Sequence, residues 1–235
     1  MTSTLVIGRT AHHARGLAGA AFRRMALAAL AAGLLLLAAL LLYRIGSPLL
    51  PVVAVVGIPF AVAAAAQFSA ARVKYLQARV GVAAEETVAR ALARLGGEVL
   101  LNGVLLGAGD IDHVLLGPWV LSVETKHARG KFTIDSAGRL RVGRRLLPRD
   151  PIGQASRNAE MLSRRLGVPV SALLVLSEAD GRPLRIRDVW VLGTSSLPQV
   201  TAQLPRILPP GRSRAYIVTL PVADPGRGVQ ETQPR

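Results

Sequence analysis

"GAGDIDHVLLGPWVLSVETKHARGK", Gly107 to Lys131, decides how the second half of the chain folds. Its two apolar runs, "DIDHVLLG" and "WVLSVETK", meet at Gly117 and Pro118, which reads as two strands joined by a tight turn. Both strands carry charge at positions that are ordinarily half-buried: Asp110 and Asp112 on the first, Glu124 and Lys126 on the second. Side chains alternate across a strand, so Asp110 and Asp112 share one face of theirs, and Glu124 and Lys126 share one of theirs. If the strands are neighbours, carboxylates and an ammonium converge at one edge of a sheet. Carboxylate oxygens there suit a hard divalent cation such as Mg2+, which takes few protein ligands, and an ammonium can orient or help deprotonate a metal-bound water. Ordinary Asp–Arg and Glu–Lys pairing would account for the same charges structurally, and spacing alone leaves both accounts open. Asp112 is the better ligand of its pair, because Asp110 reads as the cap of the turn after Gly109. His113 alternates away from Asp112 as a packed or hydrogen-bonded side chain, and His127 belongs to the surface.

The segments on either side give an α/β order. Upstream, "AAEETVARALARLGG" repeats apolar residues at helical spacing through Val88, Leu92 and Leu95 and stops at Gly96 and Gly97, and "EVLLNGVLL" is a third strand. Downstream, "KFTIDSAGRLRVGRRLLPRD" is a basic, turn-rich hairpin, and "DPIGQASRNAEMLSRRLG" is an amphipathic helix with Pro151 near its start and Gly167 at its end. "VSALLVLS" and "DVWVLG" are two more strands, followed by a C-terminal extension over 196–220. From Pro221 the chain is rich in Pro, Gly and polar residues, and 221–235 reads as a disordered tail.

The first third is chemically different. Residues 25–43 and 49–68 are two runs without a charge, each long enough as a helix to cross about 30 Å of hydrocarbon. Together, 25–68 reads as a transmembrane hairpin, with a basic tail over 1–24 before it and a basic linker over 69–79 after it. A soluble core helix is rarely apolar on every face, and signal-peptide cores are shorter, so an anchor is the simplest account. Arg9, Arg15, Arg23 and Arg24 precede the first run, and Arg72, Lys74 and Arg79 follow the second. The connection holds only Arg44. The positive-inside rule then puts both termini and the soluble domain in the cytoplasm of a two-span cell-membrane protein. Neither run contains an ionisable residue, so nothing suggests a transport path.

Composition limits the partners. The chain has no cysteine, which excludes a disulfide framework and a thiolate metal site. Residues 72–235 hold 24 of the 29 Lys plus Arg and all 14 Asp plus Glu, an excess that calls for an anionic partner. Arg139, Arg141, Arg144, Arg145 and Arg149 fall within eleven residues, either as a solvated face or as a track for phosphates. Lysine is rare, at Lys74, Lys126 and Lys131 only, yet it occupies the Glu-X-basic position. A flexible point donor with a tunable pKa differs there from a guanidinium fork.

"RVGVAAEETVARALARL", "GDIDHVLLGPWVLSVETKHARGK" and "DPIGQASRNAEMLSRRL", in that order, resemble the nuclease-related domain (NERD) family within the PD-(D/E)XK nuclease superfamily. The resemblance places the domain at 80–195. It implies a PD-(D/E)XK-like α/β core, a central mixed β-sheet flanked by helices, behind the two transmembrane helices. It also implies a Mg2+- or Mn2+-dependent site that hydrolyses nucleic acid, DNA first of all. Matched residue by residue, Glu85 is the family's helix acid, Asp112 its strand acid, Glu124 and Lys126 its paired acid and lysine, and Gln154 its polar residue on the second helix. Asp112, Glu124 and Glu85 are then the metal ligands. The chain has "GVAAE" where the family favours Gly-Glu-X-Gly-Glu, so Gly81 and Glu85 keep the pattern and Val82 and Ala84 leave it. The alternative the same resemblance allows is a catalytically inactive module, tethered to the membrane, that binds nucleic acid or a protein.

Overall fold

A computed structural model describes residues 4–107, 109–137, 139–147, 150–223 and 230–232. The chain divides into two compact units, one of residues 13–80 and the other joining the N-terminal residues to those from 81 onward.

The first strand, β1 (Thr4–Ile7), precedes two long helices, α1 (His12–Arg44) and α2 (Leu50–Ala93). Both helices are long and apolar enough to cross a membrane. Within the structure their apolar stretches are uncovered, with Leu36 72% and Val55 74% exposed, whereas the core helix of a soluble protein buries such surface. In the unit of residues 13–80, the rings of Phe22 and Tyr75 face each other with centroids 6.2 Å apart. Helix α1 outruns its apolar run at both ends, and α2 outruns its own at the C-terminal end. In particular, the stretch read as a linker over 69–79 is helical, because residues 69–80 contain neither Gly nor Pro and are mostly good helix formers.

In the second unit, α2 is followed by β2 (Val99–Leu106), β3 (Gly109–Leu116), β4 (Val120–Ile134), β5 (Leu140–Val142), β6 (Arg145–Leu146) and α3 (Pro151–Leu166). Then come β7 (Ser171–Asp180), β8 (Leu184–Ile186), β9 (Val189–Gly193), a short α4 (Leu197–Thr201) and β10 (Gln230–Thr232). The sheet is mixed, in the order β10-β1-β2-β3-β4-β7-β9-β8, with β5 and β6 attached to the far end of β4. β2, β3 and β4 form an antiparallel meander, while β7 runs parallel to both β4 and β9. Helix α3 covers one face, setting Leu162 and Leu166 against Val99 and Val114, and Ala155 and Ala159 against Leu174 and Leu176. The end of α2 covers the other, where Val88 and Leu92 pack with Leu100, Leu115, Leu121 and Val123. This is the PD-(D/E)XK-like architecture that the resemblance implies.

Helix α3 has the ends its sequence announces. The Asp150 side chain accepts a hydrogen bond from the Gly153 amide at 2.9 Å, Pro151 follows at the first position, and Gly167 closes the helix at φ +69°.

Both chain ends differ from the tails read from sequence. Within 1–24, β1 pairs in parallel with β2, placing Leu5 opposite Val99, and Thr4 donates its hydroxyl to the Gly97 carbonyl at 2.7 Å. The four residues "TLVI" are apolar enough to bury against a sheet edge, and Gly8 (φ +85°) then turns the chain where a side chain would strike Val222 and the Asn102 carbonyl. Within 221–235, Val222 bridges to Val104 and β10 pairs antiparallel with β1. The rest of that tail, 224–229 and 233–235, lies outside the described residues.

Candidate functional site

The site forms where two paired strands part. Main-chain pairing between β3 and β4 runs from Leu116–Val120 to His113–Val123 and ends there. One step further, the Asp112 carboxylate replaces the missing backbone acceptor and takes the Thr125 amide at 2.7 Å. On its other side β4 stays paired to β7 past Lys126, and its register then slips before Arg129. Glu124 and Lys126 are therefore carried on a strand anchored from one side and open toward Asp112 on the other.

Four of the residues singled out from sequence converge here. Glu124 is 2% exposed and is ion-paired to Lys126, whose side chain keeps 36% exposure. Asp112 keeps some accessible surface, yet enough protein surrounds its carboxylate for burial to be the main cause raising its pKa well above the usual carboxylate range. The charges of Glu124 and then Glu85 push it further up, while the Thr125 amide and Lys126 pull it down. Half-buried Glu85, on the last turns of α2, is thus within electrostatic reach of Asp112. Burial also raises the Glu124 pKa, with the neighbouring Lys126 opposing the shift.

This donor set fits a hydrated divalent cation. Among the described residues no three His, Cys, Asp or Glu side chains are gathered closely enough to enclose a metal ion. What the structure holds is a crowded pair of carboxylates, each made harder to ionise by its surroundings, with a third nearby. A 2+ charge relieves that crowding, and Mg2+ is commonly held by one or two carboxylates with waters completing its shell.

The helix α3 contributes differently from the sequence expectation. Gln154 is half-buried and makes no side-chain hydrogen bond among the described residues, whereas Asn158, one turn further on, donates its amide to Glu124 Oε2 at 3.3 Å. Sequence reasoning missed Asn158, although a signal was present: it is an amide inside the apolar stripe of Ala155, Ala159 and Leu162, four residues after Gln154. Asp110 does not cap a turn either. It lies within β3 opposite Leu105, because pairing with β2 continues to Gly109. His113 is fully buried and hydrogen-bonded to Asn102, with Nδ1 2.8 Å from its Oδ1, and His127 is exposed.

The arginine track divides. Arg139 and Arg141 both reach Asp135, at 3.0 and 3.4 Å, and so are partly neutralised. The Asp135 carboxyl sits below its ordinary pKa because the Arg139 amide, and then the two guanidinium groups, bond to its ionised form. Arg144 and Arg145 are exposed at the tip of the β5–β6 hairpin, and Arg149 lies outside the described residues.

A family model described as "Nuclease-related domain" matches residues 80–177, from the last turns of α2 to Ser177 in β7, and so takes in Glu85, Asp112, Glu124, Lys126, Gln154 and Asn158. No curated protein and no solved structure matches the chain.

Proposed function

We propose, from the match of residues 80–177 to the nuclease-related domain model, that the protein is a membrane-anchored, divalent-metal-dependent nuclease that hydrolyses nucleic acid, DNA first of all, at the cytoplasmic face. The observation that carries this is the crowding of Asp112 and Glu124 beside Lys126 where β3 and β4 part.

Asp112 and Glu124 would hold Mg2+ or Mn2+, with Glu85 as the third acid that would complete the set on closing in; the ion when bound polarises a phosphoryl oxygen and acidifies its water. Lys126 presents an ammonium that is partly open to solvent. From there Nζ can release its bond to Glu124 and donate to an incoming water or phosphate oxygen, fixing the nucleophile. Gln154 offers an amide from the helix beside it, and Arg144 and Arg145 bind the flanking backbone phosphates. The test is cleavage of plasmid and linear DNA by the full-length chain in detergent micelles with Mg2+ or Mn2+. A truncated soluble fragment would lose β1, so the intact chain is the fair subject. Glu124→Ala and Lys126→Ala should each lower the rate by about 10²-fold or more. Variants that cut as fast as the parent would sink the assignment.

The same fold supports the membrane topology. β1 precedes the helical hairpin and β2 follows it, and the two pair in one sheet, which supports a reading with both flanking segments on one side of the bilayer. The arginine distribution favours the cytoplasm for that side. Because the chain has no cysteine, single-cysteine labelling is clean. Ser47→Cys, in the connection, should react with an impermeant maleimide on intact cells, and Ser136→Cys, in the domain, only after permeabilisation. The reverse pattern would refute the topology.

The altered opening motif, with Val82 and Ala84 inside α2, favours a second reading in which the domain binds nucleic acid without cutting it. Calorimetry separates the two: salt-sensitive DNA binding with no Mg2+ or Mn2+ uptake supports the binding module.

A further inference from the structure

Asn158 is polar where packing asks for an apolar residue. It lies on the side of α3 that meets the sheet, with Ala155, Ala159 and Leu162 around it, and is only 5% exposed. An amide is retained in such a place when its hydrogen bonds are made, because an unpaired buried amide is costly. Here the partner is the Glu124 carboxylate, whose Oε2 accepts from Asn158 Nδ2 at 3.3 Å while Oε1 is held by Lys126.

Glu124 is thus gripped from two directions, by a cation on its own strand and by a neutral donor on the facing helix. The two grips are not equivalent. Lys126 is partly exposed and has chemistry of its own to perform, so its bond to Glu124 is the one that must loosen. Asn158 is enclosed and keeps its place. An amide also adds no charge, so it orients the carboxylate without weakening the pair's attraction for a cation, as a second lysine would. The terminal torsion of a free Glu side chain is broad, and a fixed donor on one oxygen removes that freedom.

We propose that Asn158 is a positioning residue that fixes the Glu124 carboxylate for divalent-cation binding, a role that rests on the metal-dependent reading given above. Partners that orient metal ligands from behind typically change affinity by about 10–100-fold when removed.

Mn2+ binding to the full-length chain in detergent micelles tests this, by calorimetric titration and by loss of the free-Mn2+ paramagnetic resonance signal. Asn158→Leu keeps the branching and the number of side-chain heavy atoms but abolishes the donor, and it should bind Mn2+ about 10–100-fold more weakly than the parent. The Mn2+ concentration for half-maximal DNA cleavage should rise in step, while the DNA concentration for half-maximal cleavage stays put. Asn158→Ala adds no bulk and carries the same test if the leucine variant does not fold. A merely structural amide would lower the thermal midpoint and leave Mn2+ affinity at the parent value, and that result overturns the proposal. Parent protein that takes up no Mn2+ overturns the metal-dependent reading and this proposal together, whereas parent and variants binding equally overturns this proposal alone.

Discussion

Asp112 and His113 are adjacent on β3, point to opposite faces of one sheet, and are treated in opposite ways. His113 is wholly enclosed, and the neutral amide of Asn102 meets it at 2.8 Å; Asn102 in turn reaches the Gly8 carbonyl that ends β1. Burial holds the imidazole pKa down at about 3, so the ring stays neutral and the cluster joins the N-terminal strand to the domain without a charge. Asp112 meets carboxylates instead, and its pKa is driven the other way. A buried polar group met by a neutral partner, here at Nδ1 alone, serves the fold. Like charges kept together oppose it, and such groups cluster where a ligand is to be bound.

The contrast breaks most readily at Asp112. Asp112→Asn keeps the shape and can still accept the Thr125 amide, but removes one of the crowded charges. DNA cleavage should fall by about 10²-fold or more, while the thermal midpoint of metal-free protein rises by about 2–4 °C, the amount that relief of about 1 kcal/mol of repulsion gives in a domain of this size. Mg2+ should reverse the order by stabilising only the parent. A variant that melts lower than the parent without metal would show that the carboxylates are not in conflict.

At His113 the effect is smaller and set by pH. Its folded pKa lies below the unfolded value near 6.5, so its contribution to stability is complete above that pH and is lost as the pH falls toward 3, by about 1.4 kcal/mol per unit. Asp112 acts with the opposite sign. Its pKa is raised by folding, so protonation on acidification relieves its strain. Melting curves from pH 7.5 to 5 should therefore fall more steeply for the parent than for His113→Gln, which does not titrate. Parallel slopes would mean that protons reach the imidazole in the folded state.

The sequence made the middle of the fold legible and its edges not. Alternation in "DIDHVLLG" and "WVLSVETK", and the Asp150, Pro151 and Gly167 punctuation of α3, are local signals; β3 and α3 stand where their residues predict, and β4 starts where expected but runs on to Ile134. Strand β1 carries no such signal. "TLVI" is short, and its partner Val99–Leu101 comes more than ninety residues later, across two helices. The acidic centre was readable because charge on an apolar strand is conspicuous. Asn158 was not noticed because a polar residue on an amphipathic helix is ordinary until its position in the apolar stripe is checked.

Pairing also ranks the hairpin arginines, and here the effects are smallest. Arg139 and Arg141 share Asp135, so a phosphate must compete with that carboxylate, and removing either arginine leaves Asp135 with fewer partners. Arg144 and Arg145 have open side chains at the hairpin tip. Each phosphate contact releases about one counterion from duplex DNA, so Arg144→Ala with Arg145→Ala should flatten the salt dependence of binding by about two in log–log slope. Arg139→Ala should flatten it by less than one, because its charge is already partly spent on Asp135. Binding isotherms at several salt concentrations measure both, and a larger change from Arg139 than from the exposed pair would place the phosphate track on the other edge of the hairpin.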